Sequence, residues 1–212
     1  MKLLKQFLFI YMFSIAGVAL AAAPILHKDY RPVIPPQPTE TGNKIEVIEF
    51  FFYGCSHCYD LEPYLKKWLS SAPKDVAFRR VPAVFRDDWI PLTKTFYTLE
   101  ALGELNRLNE AVFEAIHVKH INLSDEQTLL EWMAQHGVDR KKFADVYNSF
   151  SINNRALFAK NLTRAYGVEG TPSLVVDGKY LTGPGMTGSH ESAMQVLEQL
   201  IDKARQERSS KR

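Results

Sequence analysis

A long apolar run that passes directly into a helical pattern constrains this fold more than any other feature of the sequence. Residues 44–53 read K-I-E-V-I-E-F-F-F-Y, and most positions carry β-branched or aromatic side chains. Such a continuous run is typical of a central strand that is buried on both faces. Gly54 ends the run, and a helical pattern follows over residues 56–70, with larger apolar side chains on one side at Leu61, Tyr64, Leu65 and Trp68.

The rest of the chain predicts strands and helices in the order of an α/β domain. Residues 76–85 predict a second strand, and residues 91–166 carry apolar side chains at the three- and four-residue steps of helices. Two short strands return within residues 173–182, joined by the hairpin signal Asp177-Gly178, and a last helix follows them. The order β–α–β, helical block, β–β–α predicts one sheet with an inserted all-helical subdomain.

The N-terminus has the pattern of a secretory signal peptide. Lys2 and Lys5 precede an uncharged run over residues 7–23, and an A-x-A step at Ala19 and Ala21 predicts cleavage after Ala21. A retained membrane anchor is the alternative, although a run of this length is at the lower limit for spanning a bilayer. Residues 22–43 then form a proline-rich N-terminal arm, which we predict to be extended and not a core element.

Charge and cysteine content exclude several classes of protein. The chain has 26 Lys and Arg against 24 Asp and Glu, and removal of residues 1–21 takes away two lysines and no acid. The mature chain is therefore formally neutral and lacks the basic surface of a nucleic-acid-binding or anionic-lipid-binding protein. Two cysteines are too few for a disulfide-stapled small domain or for a four-cysteine zinc site.

Both cysteines lie where the predicted strand turns into the helix, in Gly54-Cys55-Ser56-His57-Cys58. At this spacing on a first helical turn the two sulfurs come within disulfide range. Cys55 faces the unpaired N–H groups of the helix start, which favour a reactive thiolate. His57 adds a donor, and a positive charge when protonated. Cys58, one turn further in, is expected to be more buried and to act as the resolving partner.

An inert disulfide and a metal site are the alternatives to a redox-active cysteine pair. A disulfide closing so small a loop would restrict the unfolded chain little, so it would contribute little as a staple. A metal site would need four ligands, and a second cysteine pair is missing. His117 and His120 are also three residues apart, but we expect them on a solvated face of the helical block. A redox pair is therefore favoured.

Gly170-Thr171-Pro172 precedes the first strand of the predicted hairpin. Proline at that position is awkward in an interior strand unless its bond is cis and it lies at the strand's edge. A cis Pro172 would turn the Thr171 backbone outward to pair with an extended peptide. A plain trans turn is the alternative, and these residues alone do not decide between the two.

Glu49 is a carboxylate in apolar company. In strand alternation it shares a face with Ile45, Val47, Phe51 and Tyr53. A buried carboxyl has a raised pKa and can exchange protons near neutrality, so Glu49 is a candidate proton acceptor for the Cys58 thiol. A strand-edge carboxylate that reaches solvent is the open alternative.

Taken together, the run E-F-F-F-Y-G-C-S-H-C, the later G-T-P, the helical insertion and the signal peptide resemble the DsbA-type periplasmic thiol:disulfide oxidoreductases of the thioredoxin superfamily. The resemblance covers essentially the whole mature chain. It implies a thioredoxin fold formed by residues 44–90 and 167–207, with an inserted all-helical subdomain at residues 91–166. It also implies that Cys55 is the nucleophile, that Cys58 is its partner and that Pro172 is cis.

Two residues depart from the best-studied members of that family. Ser56 stands where they have proline, and Thr171 stands where they have valine. Both positions tune redox potential and partner choice.

The resemblance also implies what this protein acts on. It would oxidise paired thiols in reduced, unfolded exported proteins, and a quinone-linked membrane protein would reoxidise it. We expect a monomer in the periplasm that needs no cofactor beyond the Cys55–Cys58 disulfide. A surface beside Cys55 that includes Tyr53 and Thr171 would bind substrate. The alternatives are a disulfide isomerase or reductant, and a peptide-binding periplasmic chaperone with an idle disulfide.

Overall fold

The computed structural model describes residues 23–210, and the predicted signal peptide at residues 1–21 lies outside this range. The strands are β1 (Tyr30–Pro32), β2 (Ile45–Phe51), β3 (Val76–Pro82), β4 (Ser173–Val176) and β5 (Tyr180–Thr182). The helices are α1 (Ser56–Leu69), α2 (Ile90–Leu102), α3 (Leu105–His117), α4 (Glu126–Gln135), α5 (Arg140–Tyr147), α6 (Phe150–Ala165), α7 (Pro184–Thr187) and α8 (His190–Ser209). Within the described residues, no helix is long and apolar enough to cross a bilayer.

The five strands form one mixed sheet in the order β1-β5-β4-β2-β3. Strand β2 pairs in parallel with β3, to which α1 connects it, and antiparallel with β4. In that register Phe50 lies opposite Ser173, so the C-terminal end of β2 meets the N-terminal end of β4. The cysteine motif follows one of these ends and Thr171-Pro172 precedes the other, and the sheet brings the two segments together.

Strand β2 is the centre of the core, as its apolar run predicts. All seven of its residues are buried. Ile45 and Val47 pack in a cluster with side chains of α1 and α8, whereas Ile48 and Phe50 pack in a cluster with the helical block. Helices therefore cover both faces of the strand, which confirms the prediction of a strand buried on both sides.

Helices α2–α6 lie between β3 and β4 in the chain, so the structure confirms a thioredoxin fold with an all-helical insertion. Asp125 caps α4 by accepting a hydrogen bond from the Thr128 N–H (2.9 Å), and Asp139 caps α5 in the same way. These caps satisfy donors that the first turn of a helix leaves unpaired.

The N-terminal arm corrects one prediction. We expected residues 22–43 to stay outside the core, but Tyr30–Pro32 form the edge strand that pairs with β5. Tyr30 and Val33 are buried, and the Val33 N–H donates to the Lys179 carbonyl oxygen at 2.7 Å. The exposed backbone groups of β5 offer a place for another strand, and the arm occupies it despite its prolines because proline is tolerated on an edge.

Candidate active site

The turn between β2 and α1 positions the first cysteine at the start of the helix. Cys55 is the N-cap of α1, with extended backbone angles, and its N–H donates to the Phe52 carbonyl oxygen at 3.0 Å. Gly54 is needed in this turn because a Cβ there would lie 2.5 Å from the Phe52 ring. That ring cannot easily move aside, since it stacks on Trp89 with the ring centres 3.8 Å apart.

The two cysteines differ sharply in exposure, and both are free thiols. Cys58 is completely buried, whereas Cys55 is partly exposed. This confirms the predicted placement, in which the first sulfur faces the surface and the second lies one turn inside the helix. Of the two, Cys55 is the one that a large substrate can reach.

The environment shifts the pKa values of the two thiols in opposite directions. A hydrogen bond from the Cys58 side chain, with further ones from the Thr171 side chain and the backbone N–H groups of Cys58 and His57, lowers the pKa of Cys55 to about 5 against the opposing effect of burial. Burial, followed by the interaction with Cys55, raises the pKa of Cys58 well above its usual value. At neutral pH the reduced pair therefore holds a thiolate at Cys55 and a thiol at Cys58.

Thr171, in the segment just before β4, contacts Cys55. The Thr171-Pro172 bond is cis, as the resemblance implied. When Cys55 is protonated, its Sγ donates to the Thr171 carbonyl oxygen at 3.3 Å. Pro172 is buried, while Thr171 is partly exposed and lines a groove of about 310 Å³ together with Arg31 and Met186.

Glu49 is fully buried beneath this site, so the alternative of a strand-edge carboxylate in contact with solvent is wrong. Its Oε2 accepts a hydrogen bond from the Nε of Arg80 at 2.8 Å, while Oε1 has no hydrogen-bond partner among the described protein atoms. Burial raises the pKa of Glu49 to about 7, although the Arg80 guanidinium opposes this. The Glu49 charge is in turn among the influences that raise the pKa of Cys58.

Arg80 extends the buried polar groups toward the helical insertion. The Nη2 of Arg80 donates to both carboxylate oxygens of Glu62, at 2.9 and 3.2 Å. The Asn109 amide donates to Glu62 at 3.2 Å and accepts from the Tyr53 hydroxyl at 2.8 Å. None of Arg80, Glu62 and Asn109 was predicted from the sequence, because they lie on three separate elements and no short motif joins them.

The prediction that Tyr53 belongs to the substrate surface is wrong. Its side chain is 1% exposed and packs edge-on against Phe51 and Phe113. Tyr53 was expected at that surface because it lies close to Cys55 in the chain, but strand β2 ends at Phe51 and the residues between them form a turn that points the Tyr53 ring away from the surface. The Tyr53 ring packs among the helices of the insertion, where it contacts aromatic side chains and its hydroxyl donates to Asn109.

Ser56 and His57 both lie exposed on the first turn of α1. The His57 ring lies near that of His190, with the centres 6.4 Å apart, and the His190 ring nitrogen is 3.1 Å from the His57 carbonyl oxygen. The contact of His57 with the Cys55 sulfur is made by its backbone N–H. His57 therefore stabilises the Cys55 thiolate through its backbone N–H at the start of α1.

His117 corrects a further prediction. We expected it on a solvated face, but its Nε2 lies 2.8 Å from the Tyr53 carbonyl oxygen, two residues before Cys55. His120, in contrast, is exposed as expected. Among the described residues, no group of three or more His, Cys, Asp or Glu side chains is arranged to hold a metal ion.

Comparison with known proteins gives concordant matches. A sequence model of the family described as DSBA-like thioredoxin domain matches residues 46–201. The thiol:disulfide interchange protein DsbA of Burkholderia cepacia is 42% identical over 204 residues, which cover 95% of this chain and 96% of that protein. The protein of the same name from Pseudomonas aeruginosa is 40% identical over 195 residues, which cover 92% of each chain.

Solved structures agree with these matches. The crystal structure of Pseudomonas aeruginosa DsbA superposes with a TM-score of 0.83 at 39% identity and covers 89% of this chain and 97% of that chain. The crystal structure of reduced DsbA1 from Neisseria meningitidis gives a TM-score of 0.78 at 29% identity and covers 90% and 100%. The similarity therefore extends over the sheet and the helical insertion alike.

Proposed function

Because this chain belongs to the DSBA-like thioredoxin domain family, we propose that its thiol:disulfide oxidoreductase activity resides in Cys55 and Cys58. The protein is an enzyme that introduces disulfide bonds by thiol–disulfide exchange. The observation that carries the assignment of the two residues is their opposite pKa shifts, downward at the partly exposed Cys55 and upward at the buried Cys58. A stabilised thiolate makes Cys55 a good leaving group and the disulfide an effective oxidant.

Exchange proceeds in two steps. A substrate thiolate attacks the Cys55 sulfur, the Cys55–Cys58 bond breaks, and Cys58 leaves with the electron pair and takes up a proton. A second substrate thiolate then attacks the substrate sulfur of the mixed disulfide and expels Cys55 as a thiolate. The substrate loses two electrons in forming its disulfide, and the enzyme gains them as one thiolate and one thiol.

Glu49 is the proposed proton carrier for Cys58. A group whose pKa is about 7 is present in both protonation states near neutrality, which suits proton transfer. When the disulfide opens, the protonated carboxyl can supply the proton that the buried Cys58 sulfur requires. When the enzyme is reoxidised, the carboxylate can accept that proton again, which is the role expected from the sequence.

The groove beside Thr171 supports binding of unfolded chains. An extended substrate can pair with the Thr171 backbone while its own cysteine faces Cys55, and cis Pro172 holds that backbone in place. Hydrogen bonds between backbones do not depend on the side chains of the substrate, so this mode of binding suits substrates of varied sequence. Ser56 and His57 are exposed next to Cys55 and would contact the protein whose thiol reacts with the Cys55 sulfur.

The cellular setting forms part of the proposal. The substrates are reduced, unfolded exported proteins in the periplasm, and a quinone-linked membrane protein reoxidises the cysteine pair. The cysteine pair itself carries the electrons, so no added cofactor is required. We also propose that the protein acts as a monomer. We further propose that it does not bind nucleic acid, because the predicted mature chain is formally neutral.

Oxidative refolding tests the assignment directly. A reduced substrate with one native disulfide is refolded with oxidised wild type, with Cys55→Ser, or with Cys58→Ser whose Cys55 has first been converted to its mixed disulfide with glutathione. The mixed disulfide between enzyme and substrate is trapped by acid quench and identified by mass spectrometry. We expect no catalysis with either variant and a trapped complex only through Cys55 of Cys58→Ser. Equal refolding yields with wild type and Cys55→Ser would leave only the chaperone alternative.

The equilibrium constant with glutathione separates an oxidant from a reductant. A stabilised Cys55 thiolate favours the reduced enzyme, so the pair should stay largely reduced under conditions that oxidise an ordinary structural cysteine pair. A pair that remains oxidised under those conditions would favour the reductant alternative. Alkylation of the reduced enzyme with one equivalent of iodoacetamide should label Cys55, and label chiefly on Cys58 would contradict the assignment of the nucleophile.

A further inference from the structure

Helix α3 of the helical insertion contacts Tyr53 at two groups, the side-chain hydroxyl and the backbone carbonyl. Asn109 accepts the hydrogen bond of the Tyr53 hydroxyl, and the His117 ring nitrogen lies 2.8 Å from the Tyr53 carbonyl oxygen. Residues 109 and 117 are eight positions apart, or about two helical turns, and so share one face of α3. We call this pair of contacts, from Asn109 and His117, the Tyr53 clamp.

The His117 end of the clamp is held rigidly. Its ring stacks nearly parallel on Tyr59 of α1, with the centres 5.3 Å apart and an angle of 8° between the planes. The ring of Phe113, which is also on α3, has its centre 6.1 Å from that of the His117 ring. A carbonyl oxygen only accepts hydrogen bonds, so the N–H at Nε2 of His117 is the donor in this contact with Tyr53. A stacking contact and a hydrogen bond therefore hold the ring in position.

Tyr53 lies two residues before Cys55, in the turn that sets the direction of the first sulfur. In the oxidised enzyme the bond to Cys58 also holds Cys55 against α1. In the reduced enzyme that bond is gone, and hydrogen bonds alone keep the Cys55 sulfur at the helix start. Loss of a contact that fixes the turn should therefore weaken the reduced form more than the oxidised form.

We propose that His117 is a positioning residue through which the helical insertion sets the oxidising strength of the cysteine pair. The inference rests on the proposed function, in which Cys55 is the sulfur that reacts. It assigns the insertion a part in the chemistry, because α3 supplies both contacts of the clamp. His117 itself touches no reacting atom and acts through the backbone of Tyr53.

Two substitutions at His117 test this against a merely structural role. His117→Phe keeps a ring to stack on Tyr59 and removes the donor, while His117→Gln keeps an N–H group that can reach the carbonyl. The measured quantity is the equilibrium constant of the purified full chain with glutathione. We expect His117→Phe to lower the oxidising equilibrium constant about five-fold, the size of one net hydrogen bond, and His117→Gln to remain within about two-fold of wild type.

His136→Phe is the matched control. His136 also lies in the helical insertion, its ring nitrogen is 2.7 Å from the Trp132 carbonyl oxygen, and it stacks on the Trp132 ring. The substitution removes the same kind of contact away from the active-site turn. We expect it to lower the melting temperature of both redox forms without changing the glutathione equilibrium. A shift equal to that of His117→Phe would overturn the inference.

Tyr53→Phe tests the other end of the clamp and serves if His117→Phe does not fold. It keeps the buried ring and removes the hydroxyl bonded to Asn109, and we expect a smaller shift in the same direction. An unchanged equilibrium constant in folded His117→Phe would refute the inference. If that variant does not fold, an unchanged equilibrium constant in Tyr53→Phe would refute it. Iodoacetamide labelling of Cys55 in every variant would show that the proposed nucleophile stands whichever result is obtained.

Discussion

The lowered pKa of Cys55 predicts that pH decides which redox form of this protein is more stable. Closing the Cys55–Cys58 loop of four residues stabilises the oxidised form by about 2 kcal/mol through the entropy of the unfolded chain. The reduced form is stabilised instead by its thiolate, because the pKa of Cys55 is about 5 in the folded protein against an ordinary value of 9.0. These two contributions depend differently on pH.

The thiolate contribution follows from the pKa difference. A depressed folded pKa gives a stabilisation that is complete above the unfolded pKa and is lost as the pH falls through the folded one. The lowered pKa would correspond to a full contribution of about 5 kcal/mol, reduced to about 3.5 kcal/mol because Cys55 is partly exposed and water screens its interactions. While Cys55 titrates, this contribution changes by about 1.4 kcal/mol per pH unit, so it equals the disulfide contribution of about 2 kcal/mol between about pH 6.5 and pH 8.

Thermal melts of the oxidised and reduced protein test this balance. At pH 5 the oxidised form should be more stable by about 2 kcal/mol, and at pH 8.5 the reduced form by about 1 kcal/mol. For a chain of this size the swing of about 3 kcal/mol corresponds to about 6–12 °C in the difference between the two melting temperatures. Groups that titrate equally in both forms cancel in that difference.

A variant with both cysteines replaced by serine provides the control. It should melt at the same temperature with and without reductant at each pH. A wild-type difference that is the same at pH 5 and pH 8.5 would refute the reasoning, because it would show that Cys55 does not ionise in this range.

Three further predictions concern groups around the cysteine pair. Glu49→Gln removes the proposed proton carrier. We expect the step in which Cys58 leaves to slow at least about ten-fold at pH 7 in stopped-flow measurements, and its pH dependence near neutrality to be lost. An unchanged rate would contradict that role. Gly54→Ala forces a methyl group into the Phe52 ring and should destabilise the protein by about 1–3 kcal/mol in urea unfolding, whereas Gly170→Ala, which meets open space, should be nearly neutral. Arg80→Met leaves the Glu49 and Glu62 carboxylates without their shared cation and should lower the free energy of unfolding by about 3 kcal/mol. Adding Glu49→Gln should restore part of that loss. Equal stability of the single and double variants would contradict the coupling between these groups.

Local patterns in the sequence predict the core of this fold well. The uninterrupted apolar run identifies β2 because a strand with helices on both sides has no solvent-facing positions to alternate. Asp177-Gly178 identifies the hairpin because both residues adopt positive φ, as the turn requires. The cysteine spacing predicts both sulfurs at the helix start, since one helical turn sets their geometry without any distant partner.

Residues placed by distant contacts could not be predicted in the same way. Tyr53 lies beyond the end of β2, where strand alternation no longer sets its direction, and helix α3 determines it instead. His117 ends an amphipathic helix, and nothing in its own segment indicates that the Tyr53 carbonyl will lie against it. The edge strand of the arm likewise depends on β5, about 150 residues away in the chain. Such placements follow from tertiary packing.

The buried charges explain why the two sulfurs of one helical turn can differ so strongly. Arg80 lies between Glu49 and Glu62, so when both carboxyls are ionised the group carries one net negative charge beneath α1. Burial already disfavours a Cys58 thiolate, and the nearby Glu49 charge disfavours it further. Cys55 lies at the surface, where backbone N–H groups and the Cys58 thiol stabilise its thiolate. When both exchange steps are complete, Cys58 therefore holds the proton and Cys55 the negative charge, and the stability of this arrangement favours transfer of electrons from the substrate to the enzyme.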